Sequence, residues 1–478
     1  MDPKAGPRGR DKLLANGDEA VAGLEDGATV LVGGFGVIQG WPSTLIGAVQ
    51  RSGRRDLTIV CNSPGVGPTS LQVLAQSRQI RKLVASFAAY PTRPTPIEAG
   101  IRSGAIELEL VPQGTLIERV RAGGSGLAAF YTPTSVGTPI GEGKELRRFG
   151  DRDFVLETAI RGDFGLVRAA RADRAGNAVY RGSSRNLNAT FTTAARTSVI
   201  EVDEVVETGG LDPEAIHTPG VFVDRVVRNE RPLDAQALRA LSRRHGKQWD
   251  LEARERSVGP RGLPPDLMAL RAARLLAPGE YVNLGLGLPT LLSNHVGPES
   301  GIMLHSENGM LGYGPLAEGD DVDIDLYNAS GQLVTLLPGG SFFGSDEAFA
   351  MARSGRVSTV VLGGFQVSQA GDLANWNVPA TGVGGIGGAM DLAAGAARIV
   401  VVMFHLTRAG EPKLLERCTY PLTAVGCVRT VLTDLALIDV DASGFVLREL
   451  APGVSADEVR AVTAAPLRLA SDLREMDF

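Results

Sequence analysis

The chain reads as an α/β protein made of two related open-sheet domains, and three features of its 478 residues predict this. Short apolar runs of strand length alternate with stretches of helical period, the pattern of parallel strands covered by helices. The length exceeds what one ordinary core supports, so at least two cores are expected. An opening pattern also returns: Leu24-Glu-Asp-Gly-Ala-Thr-Val-Leu-Val-Gly-Gly-Phe-Gly36 is answered by Leu276-Ala-Pro-Gly-Glu-Tyr-Val-Asn-Leu-Gly-Leu-Gly287, each followed by a proline, Pro42 and Pro289.

In chain order, Lys12 to Leu24 carries a helical period, and Ala28 to Val32 is a strand that empties into Gly33-Gly-Phe-Gly36. Helix is expected from Ser43 to Arg51 and from Ser70 to Ser77, with strands at Leu57 to Val60, Lys82 to Ala85 and Ile106 to Val111. Phe154 to Ile160 and Ser198 to Val206 alternate apolar and charged residues, as an added antiparallel edge would. Between Arg243 and Arg261 the apolar face is lost, so residues 1–242 form a first domain, 243–263 a linker and 264–478 a second domain. The second domain resumes with helix from Asp266 to Leu276 and strand from Tyr281 to Leu284, and Val360 to Asp372 echoes Gly165 to Asn177. Two such domains leave a cleft between them, the usual place for a ligand.

The charge balance, 48 basic against 54 acidic residues for a net −6, offers no footprint for nucleic acid or an anionic membrane and points to small-molecule chemistry. Cys61, Cys418 and Cys427 are odd in number and form no C-x-x-C pair, which predicts a reducing compartment and hence the cytoplasm. Met1 to Arg10 has no apolar leader core and reads as a disordered lead-in, and no later run is long and apolar enough for a membrane span. The five histidines show no H-E-x-x-H or paired spacing, so no metal site is expected. Gly382-Val-Gly-Gly-Ile-Gly-Gly-Ala-Met-Asp391 contains a G-x-G-x-x-G match. A dinucleotide site would need a strand before it and an acidic residue about 20 positions on, whereas Leu373 to Thr381 is not strand-like and position 407 is Thr. A helix opening there nonetheless presents bare amides to developing negative charge.

The stretch with the clearest chemistry is His305-Ser306-Glu307-Asn308-Gly309-Met310-Leu311-Gly312-Tyr313-Gly314-Pro315. The apolar run Gly301-Ile-Met-Leu304 places Glu307 at the carboxyl end of a strand, where ligands gather in open α/β sheets. The glycines permit a sharp turn and leave room around the carboxylate. On spacing alone such a Glu is surface punctuation, and the rest of the chain decides its role. Gln113 in Pro112-Gln-Gly-Thr115 and Asn62 after Leu57 to Val60 sit at strand-to-helix corners; read singly, they are a turn residue and a strand cap.

Taken together, Val32-Gly-Gly-Phe-Gly36, Pro112-Gln-Gly-Thr-Leu-Ile-Glu-Arg119, Ala129-Phe-Tyr-Thr-Pro-Thr134, Ser306-Glu-Asn-Gly309, Gly371-Asp-Leu-Ala-Asn-Trp376 and Gly387-Gly-Ala-Met-Asp391 resemble the family I CoA-transferases, most closely their succinyl-CoA:3-oxoacid branch, over nearly the whole chain. The resemblance implies that residues 1–242 and 264–478 correspond to the two separate subunits of bacterial enzymes, fused here by the linker, with the active site in the cleft between them. The second of these would carry the catalytic Glu. It further implies CoA transfer from a succinyl-CoA-like donor to a 3-oxoacid-like acceptor by ping-pong exchange through a glutamyl-CoA thioester. Glu307 is then the nucleophile, Gly388 an oxyanion-hole amide and Gln113 a donor to the oxyanion or substrate carbonyl. Asn62, Asn308, Gly309 and Gly387 would bind substrate. CoA enters as substrate and covalent intermediate, with no permanently bound cofactor; acyl-CoA and carboxylic acids are the partners, and a homodimer or higher homo-oligomer is expected. The chemistry suits the residue types, because a carboxylate already ionised at pH 7 attacks a thioester without a metal or general base and needs mainly charge stabilisation.

Three stretches depart from the family pattern: Val37-Ile-Gln-Gly-Trp-Pro42, Ser63-Pro64 after Asn62, and Ala89-Tyr-Pro-Thr-Arg-Pro94 in place of a shorter Gly-Glu-Asn turn. Tyr90 and Arg93 on the last are expected to reshape the acyl pocket, Arg93 by pairing with a second carboxylate of the acid. Two other functions compete. An acyl-CoA hydrolase on the same scaffold would release CoA without an acceptor, and a ligand-sensing protein would need no exposed Glu between the domains.

Overall fold

The computed structural model describes residues 11–36, 40–88, 95–230, 262–317, 322–379 and 383–478. The chain gathers into two compact units, the first comprising Met1–Phe130, Glu157–Ala235 and Phe342–Asp346, the second Tyr131–Leu156, Gln236–Ser341 and Glu347–Phe478. Residues 131–156 thus belong with the C-terminal part of the chain.

In the first unit, strands β1 (Thr29–Val32), β2 (Leu57–Cys61), β3 (Ile80–Ala85) and β4 (Glu107–Leu110) pair in parallel in that order. The next three strands along the chain, β5 (Ala129–Thr132), β6 (Leu146–Phe149) and β7 (Arg152–Thr158), form a small sheet of their own in the order β5-β7-β6. Then come β8 (Gly162–Asp173), β9 (Ala178–Val179), β10 (Ala195–Val206) and β11 (Arg225–Arg228). With β1 to β4 they complete an eight-stranded sheet in the order β11-β10-β8-β1-β2-β3-β4, with β9 on β8. Val30, Leu31, Ile59 and Leu83 are buried, as expected of parallel strands covered on both faces. Gly33, just past β1, is fixed by space: a Cβ there would lie 2.0 Å from Asn188 Oδ1.

Two expectations fail here. The period from Lys12 to Leu24 gives helix only over Gly17–Ala20, because Asn16 caps it by accepting the Glu19 N–H and Leu13 is drawn into a parallel bridge with Val226. Ser198 to Val206 is no antiparallel edge, for β10 runs parallel between β8 and β11. Its alternation has another origin: Glu201 is buried and accepts the Thr44 and Leu45 N–H groups at 2.8 and 3.2 Å, capping the helix Ser43–Ser52, whose own N-terminal residue Pro42 offers no side-chain cap.

The second unit carries β12 (Tyr281–Leu284), β13 (Met303–Ser306), β14 (Met310–Leu316), β15 (Val334–Phe342), β16 (Thr359–Leu362), β17 (Gln366–Ser368), β18 (Leu373–Ala374), β19 (Arg398–Val402), β20 (Leu414–Leu415), β21 (Thr430–Leu432), β22 (Ala436–Asp441), β23 (Gly444–Leu450) and β24 (Leu467–Glu475). Ten of them form one sheet in the order β15-β14-β13-β12-β16-β19-β21-β22-β23-β24. Its centre is parallel, β12 lying between β13 and β16. The sequence repeat has a structural counterpart, since β1 and β12 each sit inside their sheet with parallel neighbours on both sides and empty into glycine turns. Among the described residues, no helix is long and apolar enough to cross a membrane.

Candidate active site

Glu307 stands at the tip of the hairpin joining β13 to β14. Ser306 faces Met310 across that hairpin, leaving Glu307-Asn308-Gly309 as a three-residue loop closed by the Gly309 N–H donating to the Ser306 carbonyl at 3.0 Å. Such loops place their last residue in a left-handed conformation, and Gly309, at φ 100°, supplies it without a Cβ penalty. Asn308 braces the turn from within: its Nδ2 donates to the Tyr327 carbonyl at 2.7 Å, and its Oδ1 accepts the Ser306 hydroxyl at 2.6 Å.

Glu307 is only 8% exposed. Asn283 Nδ2 donates to Glu307 Oε2 at 3.0 Å and also lies 3.2 Å from the His305 carbonyl oxygen. Burial raises the Glu307 carboxyl above its ordinary value, and the Asn283 hydrogen bond opposes that rise. Two neighbouring titratable groups, His305 and Tyr313, bring no positive charge. Burial pushes His305 down to about 4, leaving it a neutral imidazole at pH 7. Tyr313 is raised, first by burial and then by the charge of Glu307. Among the described residues no Lys or Arg pairs with Glu307. A carboxylate held by neutral donors and stripped of most of its water keeps its electron density for attack.

Gly387, with φ 56°, and Gly388 lead into the helix Ala389–Gly395, so the Gly388 N–H is among the first amides of a helix, which have no acceptor within it. Asp391 in that first turn is buried and accepts from Thr134 Oγ1 at 3.1 Å, tying Ala129-Phe-Tyr-Thr-Pro-Thr134 to Gly387-Gly-Ala-Met-Asp391.

In the first unit, Asn62 and Gln113 lie at the carboxyl ends of β2 and β4, and Gln113 Nε2 donates to Asn62 Oδ1 at 2.6 Å. Both are buried, and the Asn62 carbonyl accepts from Ser86 and Phe87 just past β3. Tyr90 and Arg93 lie outside the described residues, as do Val37 to Gln39 and most of the stretch read as a linker. Among the described residues no cluster of His, Cys, Asp and Glu is arranged for a metal ion.

Asn283, the hydrogen-bond partner of Glu307, is the residue of the candidate site that the sequence reading missed. Its signal was a single amide inside the apolar strand Tyr281-Val-Asn-Leu284, where β-propensity disfavours Asn.

The sequence profile of the family described as Coenzyme A transferase matches residues 15–229 and 266–461. Succinyl-CoA:3-ketoacid coenzyme A transferase 2, mitochondrial, of Homo sapiens is 42% identical over 490 residues, spanning 98% of this chain and 92% of that protein. One of the subunits of 3-oxoadipate CoA-transferase of Pseudomonas putida is 48% identical over 201 residues, spanning 42% of this chain and 94% of that polypeptide. Among solved structures, an acyl-CoA transferase of E. coli O157:H7, in a thioester complex with CoA, superposes with a TM-score of 0.78 over 98% of this chain and 96% of that one; at 19% identity this is a likeness of fold. The expected cytoplasmic location is overturned, because the human protein and three rodent relatives of similar coverage are named as mitochondrial. Free cysteines report a reducing compartment without saying which one. With a profile match over most of its length and a relative 42% identical across nearly all of it, the chain belongs to the coenzyme A transferase family and is a CoA-transferase enzyme.

Proposed function

We propose that the enzyme moves CoA from a succinyl-CoA-like donor to a 3-oxoacid-like acceptor through a thioester on Glu307. The observation that carries this reading is the buried Glu307 carboxylate, at the end of a parallel strand, hydrogen-bonded by Asn283 and paired with no Lys or Arg among the described residues. Glu307 attacks the thioester carbonyl, forming an acyl-glutamyl anhydride and releasing CoA thiolate. The thiolate attacks the glutamyl carbonyl, giving the Glu307–CoA thioester and the first product acid. The acceptor carboxylate then attacks this thioester, and the released thiolate takes the acyl group from the new anhydride, restoring Glu307.

Each attack places negative charge on a carbonyl oxygen. The Gly388 amide and the Gln113 side chain are assigned to it, loss of one such donor typically costing ~3 kcal/mol. Asn62 orients Gln113 by accepting one of its two amide hydrogens, which leaves the other for substrate. Asn308 and Gly309 build the turn that presents the nucleophile, and Gly387 sets the entry to the helix that follows. Tyr90 and Arg93 are assigned to the acyl pocket on sequence grounds alone. Two-unit function, with 1–242 and 264–478 acting as fused halves around a linker at 243–263, is supported by the two profile-matched stretches that flank residues 230–265. The names of the relatives support a 3-oxoacid acceptor, and the likeness to a 3-oxoadipate enzyme supports a second carboxylate on it.

Steady-state rates with succinyl-CoA and a panel of 3-oxoacids test the reading. Parallel double-reciprocal lines are expected, and Glu307→Gln should lower kcat on the order of 10⁴-fold or more. Intersecting lines, or near-normal turnover by that variant, would exclude the covalent route, and CoA release at full rate without an acceptor would make the protein a hydrolase.

A further inference from the structure

The second unit holds a cavity of about 240 Å³ whose lining takes no part in the proposed reaction. Its wall includes Arg398 and Thr430, the first residues of β19 and β21, whereas Glu307 follows the carboxyl end of β13. Parallel pairing runs unbroken from β13 through β12, β16 and β19 to β21, so these strands share one direction. The register sets Arg398 level with Thr359, Val282 and Leu304. Three strand spacings of about 4.8 Å and three residues of rise at about 3.3 Å then put its Cα roughly 17 Å from that of Glu307. Four guanidinium groups and three carboxylates line the cavity. Arg271 donates from Nε and Nη2 to Glu449 Oε2 at 2.8 and 2.6 Å, and Arg474 donates from Nε and Nη2 to Glu449 Oε1 at 3.2 and 2.8 Å. Arg448 spans two acids, with Nε 3.3 Å from Asp439 and Nη1 3.2 Å from Asp472. Arg398 donates from Nη1 to the Leu275 carbonyl at 2.8 Å and approaches the Glu280 carboxylate only to 4.0 Å.

One carboxylate clamped by two guanidinium groups leaves a positive charge over, and because Arg271 and Glu449 are both buried, salt and water screen that charge poorly. Each guanidinium also keeps a nitrogen without a partner among the described residues: Nη1 of Arg271 and of Arg474, Nη2 of Arg448, and Nε and Nη2 of Arg398. Cations near the end of the helix Pro265–Ala273 offset its dipole. That accounts for neither the cavity nor the doubly clamped Glu449. We propose that the cavity binds a small oxyanion, a phosphate or carboxylate group, on the spare nitrogens of these arginines. A guanidinium is planar and offers paired N–H donors that match two oxygens of either group. Asp439 and Asp472 share the single Arg448, so the anion belongs with the arginines gathered at Glu449 and at the helix end, Arg271, Arg474 and Arg398. Bound there, it ties the helix Pro265–Ala273 to β19 and β24, away from the reacting carboxylate.

Calorimetric titration of the full chain with sodium phosphate, and separately with sodium succinate, tests the site, with ionic strength held constant by NaCl. The wild-type protein should bind at least one of the two saturably, with a Kd in the millimolar range or tighter. Arg398→Gln and Arg474→Gln should each weaken that binding about tenfold, since each removes a charged hydrogen-bond donor. Both variants should keep succinyl-CoA turnover within about twofold of wild type when no anion is added, which shows that they fold. Tighter binding of phosphate would mark the ligand as a phosphate or its ester, and tighter binding of succinate would mark it as a carboxylate. No saturable binding of either anion by the wild type, or binding of both that the two variants retain at wild-type strength, would overturn the proposal.

Discussion

At the residue scale, the side-chain donor to the Glu307 carboxylate is Asn283, 24 positions earlier in the chain, and under the proposed route it tunes the nucleophile. Asn283→Ala removes a hydrogen bond to a charged group, a loss of about 1.5–3 kcal/mol, so kcat/KM should fall roughly 10- to 150-fold. The pH profile gives the more specific check. Under the proposed route Glu307 acts ionised; its carboxyl is already raised by burial, and Asn283 is the side chain that lowers it. Without Asn283 the carboxyl rises further, so activity is lost at a higher pH as the solution is acidified. A variant whose acid limb coincides with that of the wild type would show that Asn283 does not act on the nucleophile. The strand-end positions of Glu307, Gln113 and Asn62 were legible from the apolar runs before them, whereas the roles proposed for them rest on the resemblance. Asn283 was not legible, because its partner comes from the next strand and nothing local marks which Asn in an apolar run will meet a carboxylate.

At the scale of elements, alternation and charge misled where a buried acid does a helix's capping. β10 looked like an exposed edge because Glu201 stands among apolar residues, yet Glu201 is fully buried against the N-terminus of the helix Ser43–Ser52. Burial, the largest influence, raises its carboxyl to about 7, against the charge of Arg168 and the N–H groups of Leu45 and Thr44, which lower it. A carboxyl raised on folding binds its proton more tightly in the folded state. Its contribution to stability is therefore full below the unfolded value of 4.5 and is lost as pH rises to about 7, a change of order 3 kcal/mol. Glu201→Gln keeps the shape without titrating. From pH 5 to pH 8 the Tm difference should move in favour of the Gln variant; a difference that does not vary with pH would contradict this account. The parallel strands β1 and β2 were legible because burial on both faces leaves continuous apolar runs, which is the signal such strands carry.

At the scale of the whole molecule, the repeat was legible, since each glycine-terminated strand sits between two parallel neighbours. Less visible was the placement of Tyr131–Leu156, which follows the first four strands in sequence but packs with the second unit. Thr134 accordingly hydrogen-bonds Asp391 at 3.1 Å, a contact between residues 257 apart. Residues 264–478 produced alone should then lack part of their own unit. That fragment should melt several degrees below a version in which Tyr131–Leu156 is supplied as well, and neither 1–242 nor 264–478 should turn over substrate unaided. Full activity in 264–478 alone would remove Gln113 and Asn62 from the reaction. Incubating the enzyme with succinyl-CoA and no acceptor, digesting it and weighing the peptides should find CoA, less one water, on the peptide containing Glu307, and adding the acceptor acid should discharge it. Turnover through a ternary complex with no adduct, or an adduct on any other residue, would contradict the account.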